Sequence, residues 1–263
     1  MQDTKKKIVL VGATSSIAEH CARLLVSDKY LSQSAEIILA GRNQKKLDAV
    51  ASDLMVRSSH INVQTKVLNF INTEEIFSFV ENCYLKQPVD IVLIAHGILP
   101  DQAECQKNLQ LCQETLEINS ISPVLFAEAF AGHMEKIGRG TLVIIGSVAG
   151  DRGRKSNYVY GAAKGLIACY VQGLQHRLAH TAVKVILIKP GPTATPMTAH
   201  LQKKGMHLAS VESVAQRIVH ASLNCLIERI QTFVFYQKEL FVGVAHELKT
   251  LLAVMKTKNK VTL

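Results

Sequence analysis

The chain has 263 residues, 48% of them hydrophobic and 5% aromatic, and a formal net charge of +9. This length and apolar content suit one domain with a large core and exclude a disordered chain. No apolar run reaches the roughly 18 residues that span a bilayer, and Lys5–Lys7 precede too short an apolar run for a leader. With few aromatics and no nucleic-acid motif, nucleic acid is discounted. The positive charge then points to another anionic partner, a phosphate or a membrane surface. Cys21, Cys83, Cys105, Cys112, Cys169 and Cys225 form no C-x-x-C pair. They read as small core residues in a reducing, cytoplasmic compartment. No metal-ligand cluster is read.

Lys7–Gly12 is predicted as a short buried strand, followed by Gly12-Ala-Thr-Ser-Ser-Ile-Ala18 and a helical pattern carrying Ile17, Cys21, Leu24 and Leu25. Strand, small-residue turn and helix N-terminus form a cradle in which backbone N–H groups hold a pyrophosphate. Gly12, Thr14, Ser15, Ser16 and Ile17 are the candidate contacts. Only Gly12 remains of the usual three glycines, with Ser16 and Ala18 at the later two positions. Ala35–Ala40 is the second strand. Where a dinucleotide fold reads the adenosine ribose, Gly41 stands in place of an acid and Arg42 lies beside it. A cation there suits a 2′-phosphate, so NADP(H) is favoured and NAD(H) is the alternative.

Asn62–Leu68 is the third strand, with Asn69 and Phe70 expected to border the adenine. A helix over Thr73–Tyr84 opens on a Thr73 cap, and Val89–Ile94 is the fourth strand, with Ala95, His96 and Gly97 at the cleft. His96 reads as a wall residue rather than a catalyst. One helical region is predicted from Glu104 to Met134, kinked at Pro123, with Asn119 inside it as a candidate hydrogen-bond relay. Thr141–Ile145 and Ala182–Ile188 are further buried strands. Pro190, Gly191, Thr193 and Thr195 follow the latter as cofactor contacts, and Thr195–Thr198 begin a segment expected over the substrate. Glu212–Leu226 reads as helix and Thr232–Tyr236 as the last strand. Alternating strands and helices imply one α/β domain: a doubly wound, Rossmann-type, mostly parallel seven-stranded sheet with helices on both faces.

Ser147 stands just past the central strand, and Tyr160 and Lys164 lie four apart on a predicted helix from Ser156. Residues at i and i+4 share a helix face, so phenol and ammonium address one spot beside the serine hydroxyl. A free tyrosine, with a pKa of about 10, exchanges protons poorly near neutrality, and a nearby cation is expected to lower it. Tyr160, so tuned, exchanges a proton with a carbonyl or alcohol oxygen.

Residues 1–237 are read as the catalytic domain, including a substrate-covering segment over 190–210. Residues 238–263 are read as an amphipathic helix and a basic tail of Lys256, Lys258 and Lys260. That helix packs on the fold or on a second copy, or it holds the chain peripherally on the inner face of an anionic membrane.

In Gly12–Ala18, Asn119, Ser147, Tyr160, Lys164 and Pro190-Gly191, the chain resembles the short-chain dehydrogenase/reductase family over nearly its whole length. The resemblance implies a proton-donating Tyr160, a Ser147 that holds the substrate oxygen, a Lys164 that binds the nicotinamide ribose and lowers the Tyr160 pKa, and an Asn119 that positions a water relay. It also implies a homo-oligomer and an NAD(P)H-dependent carbonyl or secondary-alcohol oxidoreductase. The alternative is a catalytically idle dinucleotide-binding regulator or scaffold. Three positions depart from the family pattern: the glycine-poor turn, Ala95-His96-Gly97 in place of Asn-Ala-Gly, and Asn69 in place of Asp. Leu39–Arg42, Ser147–Arg154 and Met197-Thr198 look like a branch containing the reductase subunit of decaprenylphosphoryl-ribose 2-epimerase. That likeness implies a keto-sugar on a polyprenyl phosphate as substrate.

Overall fold

Alternation of buried side chains on successive strands builds this molecule. A computed structural model describes residues 5–27, 34–200 and 207–223, and the backbone of 232–235. Seven parallel strands form one sheet: β1 Lys6–Val11, β2 Ala35–Gly41, β3 Ile61–Val67, β4 Ile91–Ile94, β5 Arg139–Ile145, β6 Ala182–Pro190 and β7 Thr232–Phe235. Their order is β3-β2-β1-β4-β5-β6-β7, a doubly wound parallel sheet of the kind the alternating pattern predicts. Within one strand, neighbouring side chains serve opposite layers. Val9 and Val11 face one core with Ile38, Val92, Ile144 and Val185, whereas Ile8 and Leu10 face the other with Ile37, Leu93, Val143 and Ile186. At the edge strand β3 the alternation leaves every second residue exposed.

Helices α1 Ser16–Leu25, α2 Gln44–Arg57 and α8 Val211–Leu223 close one layer, with α3 Thr73–Tyr84, α6 Ser122–Ile137 and α7 Tyr158–Arg177 on the other. In the second layer Phe70, Phe79, Phe126 and Phe130 meet edge to face at 5.3 to 6.3 Å. These T-shaped contacts suit the positive edge and negative face of an aromatic ring.

Several boundaries differ from the sequence reading for local reasons. Asn72, not Thr73, caps α3, because its side chain accepts the N–H groups of Glu74 and Glu75. The region from Glu104 to Met134 is three helices: α4 Gln102–Lys107, α5 Leu109–Leu116 and α6. Asn108 in extended backbone ends α4 and caps α5. Between α5 and α6 the chain widens into a π-turn over Glu117–Ile121, where the Ser122 N–H reaches back to Glu117. Pro123 offers no N–H to the carbonyl of Asn119, so the break falls one turn before the proline instead of as a kink within a helix. Helix α7 begins at Tyr158, two residues after the expected start at Ser156. Cys21, Cys83 and Cys105 are buried as expected, but Cys112 is half-buried and Cys169 is exposed. No helix among the described residues is long and apolar enough to cross a membrane. The 238–263 segment lies outside the described residues, as do Cys225 and residues 201–206 of the predicted covering segment.

Candidate active site

The chain runs outward from β1 to β2 and β3, then returns to place β4 on the other side of β1. That switch leaves a crevice beyond the carboxyl ends of β1 and β4. A cleft of about 410 Å³ opens there, lined by Gly12, Thr14 to Ile17, Gly41 to Asn43, Lys46, Phe70, Ala95 to Gly97, Ile145 to Ser147, Tyr160, Lys164, Pro190, Gly191, Thr193 and Thr195 to Thr198.

At one end the turn after β1 comes against the turn after β4. Gly12 takes φ +80, and a Cβ there would stand 2.7 Å from the backbone nitrogen of His96. Glycine is therefore required twice, by conformation and by approach. Ser15 caps α1: its Oγ accepts the Ala18 N–H and its carbonyl accepts that of Glu19. Ser16 and Ile17 are the first helical residues and have no intrahelical carbonyl within reach of their N–H groups. Both line the cleft. Beyond them, past β2, stand Arg42 and Lys46, both exposed.

At the other end, about 14 Å across the sheet at the usual strand spacing, lie Ser147, Tyr160 and Lys164. Ser147 Oγ accepts the Ala149 N–H and caps the 3-10 turn Val148–Asp151. Lys164 is buried, its Nζ donating to Ile145 O at 3.0 Å and lying 5.8 Å from the Tyr160 ring centre. Behind Gly97, Asn119 is fully buried in the π-turn. Its Oδ1 accepts the Ile98 N–H at 3.0 Å and its Nδ2 donates to Thr115 O at 2.8 Å. A Cβ on Gly97 would stand 2.7 Å from Asn119 Oδ1 and 3.9 Å from Lys164 Nζ, so glycine lets amide and ammonium converge.

Electrostatics in this wall follow burial. Burial lowers the Lys164 ammonium from 10.5 to about 8. Burial first, then the charges of Lys164 and Arg42, lowers the His96 ring to about 3. His96 is thus neutral, packs at 4.7 Å on Phe70 and pairs through Nε2 with Ser122 Oγ at 2.9 Å. It is a wall residue, as its position implies. Burial raises the Tyr160 phenol above its ordinary value, and a hydrogen bond with Ser147 offsets only part of this. The expected lowering by Lys164 is not what the cleft provides: its ammonium is aimed at a carbonyl and is itself weakened by burial.

The structure brings every sequence-predicted site residue to the cleft or directly behind it except Asn69. The Asn69 Oδ1 accepts the Ile71 N–H in a local turn, while its N–H donates to Glu75. Lys46 and Asn43 line the cleft without having been predicted, and Met197 lines it from the segment expected over the substrate. Lys46 carried a readable signal, lying four residues past Arg42 in the first turn of α2.

Comparison with known proteins agrees with this geometry. An uncharacterized oxidoreductase of Mycobacterium tuberculosis is 28% identical over 248 residues, 93% of this chain and 95% of that protein. Another, from Staphylococcus epidermidis, is 28% identical over 222 residues, 84% of this chain and 93% of that protein. A short-chain dehydrogenase from Sphingobium yanoikuyae, solved in complex with NADPH, matches with a TM-score of 0.78 at 19% identity, over 98% of this chain and 96% of its own. An actinorhodin polyketide ketoreductase with NADPH matches with a TM-score of 0.75 at 19% identity, over 87% and 94% of the two chains. These two structures speak for the fold. The family model described as short chain dehydrogenase matches residues 6–205, and the chain belongs to the short-chain dehydrogenase/reductase family of oxidoreductases.

Proposed function

We propose that the cleft interconverts a carbonyl and a secondary alcohol with a nicotinamide dinucleotide, preferring NADPH to NADH. The observation that carries this reading is the convergence of Ser147, Tyr160 and Lys164 on one wall, with the turn after β1 and the N-terminus of α1 lining the other end of the same cleft. The residues fit the dinucleotide. The open N–H groups of Ser16 and Ile17 suit a pyrophosphate at a helix N-terminus. Arg42 and Lys46 place two cations where a 2′-phosphate would sit, with no carboxylate at Gly41. Bound there, the nicotinamide supplies the hydride for the carbonyl carbon.

The chain's own groups handle the oxygen. Ser147 holds it by a hydrogen bond and Tyr160 donates the proton. A phenol held above its ordinary pKa stays protonated through neutral pH, which suits an acid in reduction. Lys164 offers its ammonium to a ribose hydroxyl beside Gly97, and Asn119 holds the Gly97-Ile98 backbone in place.

The substrate reading is narrower: a keto-sugar carried on a polyprenyl phosphate. Its supports are the branch resemblance around Ser147–Arg154 and the charge of the loop joining Ser147 to Tyr160. That loop carries Arg152, Arg154 and Lys155, and its acid, Asp151, is paired with Lys189. Arg154 Nη1 lies 3.4 Å from Val148 O, next to the serine. A phosphate on the substrate would meet these cations at the mouth.

Four outcomes test these assignments. Tyr160→Phe should bind NADPH within about twofold of wild type yet reduce a vicinal diketone probe roughly 10²–10⁴-fold more slowly; an unchanged rate would remove Tyr160 from the chemistry. In fluorescence titrations wild type should bind NADPH at least about tenfold more tightly than NADH, the worth of one charge-assisted hydrogen bond. Removing Arg42 and Lys46 together should erase that gap, and equal constants in wild type would refute the preference. A keto-sugar bearing a lipid phosphate should show a KM at least about tenfold below that of the same sugar without phosphate; equal values would rule out the phosphate reading.

The fourth concerns Lys164. Its folded pKa of about 8 lies below the unfolded 10.5, so between those values the unfolded chain binds more protons and stability rises with pH. Below pH 8 the folded state carries the full cost of a buried charge. Lys164→Met should therefore raise stability at pH 7 by about 1–2 kcal/mol after loss of the Ile145 hydrogen bond while weakening NADPH binding. The stability gap in urea denaturation should narrow as pH climbs past 8, and a Met variant less stable at pH 7 contradicts this account.

A further inference from the structure

The 3-10 turn that carries Ser147 is fixed at two ends by different means. Its inner side lies in backbone contact with α7. At its outer end Asp151 Oδ1 meets Lys189 Nζ at 2.8 Å. Lys189 is the penultimate residue of β6 and only 8% exposed. It directly precedes Pro190 and Gly191, which line the cleft. An ammonium so far out of water needs a counter-charge, and one aimed at a carboxylate at this distance has good geometry. The pair joins the strand end that leads into the cofactor turn to the turn that presents the catalytic hydroxyl. A chain needing only a stable sheet would gain as much from an apolar residue at 189.

We propose that Lys189 and Asp151 are positioning residues that hold the Ser147 turn in register with Tyr160. The inference rests on the catalytic roles given above to Ser147 and Tyr160. The turn runs from Ser147 through Asp151 with few bonds of its own: Ala149 N–H to Ser147 Oγ at 3.1 Å and Gly150 N–H to Ser147 O at 3.1 Å. Beyond Asp151 the chain is an exposed, glycine-containing loop up to α7. With the outer end released, this short turn pivots on its glycine contacts and Ser147 Oγ leaves hydrogen-bond distance of the phenol. The groups that face Tyr160 are Ser147 and, 5.8 Å from the ring centre, Lys164. Losing the Ser147 hydrogen bond raises the phenol's pKa, because that bond favours the phenolate. Lys189 and Asp151 thus act on the proton donor through the serine.

Lys189→Met tests this, since it keeps the buried stem and removes the charge without stranding a buried cation, as Asp151→Asn would. The probe reaction is reduction of a vicinal diketone with NADPH, and the Tyr160 pKa is followed by NMR of isotope-labelled tyrosine, assigned by loss of its signal in Tyr160→Phe. The expected result has three parts: unchanged NADPH affinity, a turnover about tenfold lower, and a Tyr160 pKa raised by about half a unit to one unit, the worth of one ordinary hydrogen bond. Lys189→Arg, which preserves the pair, should restore both turnover and pKa. An unshifted Tyr160 pKa in Lys189→Met overturns the proposal, as does parallel loss of NADPH affinity and melting temperature, which would mark a structural bond only. The pKa is read without turnover, so failure of the clamp and failure of the Tyr160 assignment give different results.

Discussion

Gly150 and Gly161 let two pieces of backbone touch. A Cβ on Gly150 would stand 2.6 Å from the carbonyl carbon of Lys164, and one on Gly161 would stand 2.8 Å from the carbonyl oxygen of Ala149. Real Cβ atoms do not approach so closely, so any side chain at either position would lift the Ser147 turn off α7. The inner side of the Ser147 turn is therefore seated on α7 main chain against main chain, which leaves the turn's outer end to the Asp151–Lys189 pair. The Lys164 bond to Ile145 O depends on the same contact, because Lys164 lies on the face of α7 that the turn covers. Catalytic groups need placing to a fraction of an ångström, and glycine at 150 and 161 secures this for a strand, a turn and a helix that are far apart in sequence.

The same tight wall works against charge. Lys164 is held below its usual pKa, His96 far below, and Tyr160 above, so each of the three groups is shifted toward its neutral form. Their shared cause is desolvation. For His96 this agrees with its packing on Phe70 and its hydrogen bond with Ser122. For Lys164 the cost is that of a buried ammonium, which a methionine in the same place would not carry. Strongly perturbed groups that share one cleft mark it as a place where stability has been given up for chemistry.

How much of this was legible in the sequence depended on the range of the interaction. Strands buried on both faces, such as Ile8–Val11 and Leu142–Ile144, announce themselves as unbroken apolar runs. The pairing of Tyr160 with Lys164 follows from helical periodicity alone. Gly12 could be placed because a strand-to-helix turn has few solutions. Asn69 was misplaced for a local reason: an asparagine side chain can satisfy its own turn, here at Ile71, and composition does not tell that use from a ligand contact. The π-turn around Asn119 was hidden because a proline normally signals a kink near itself, whereas the N–H that this one lacks is the one due four residues back, at the carbonyl of Asn119. The sign of the Tyr160 shift was also beyond the sequence. Helical spacing gave the proximity of Lys164 but not that its Nζ points at Ile145 O, nor how dry the site is.

The departures from the family pattern after β4 can now be weighed. Ala95 carries no amide side chain, and His96 places a ring beside it. That ring reaches Ser122 at the start of α6, while Asn119, three residues earlier, takes the Ile98 N–H. The β4 turn is thus bonded on both sides of Gly97 to the segment spanning the π-turn and the first residue of α6. Two hydrogen bonds bracketing one glycine hold the backbone where Gly97 approaches Lys164. They also tie this wall of the cleft to the segment that carries Asn119. The change in the turn after β4 therefore leaves the convergence of Gly97, Asn119 and Lys164 intact.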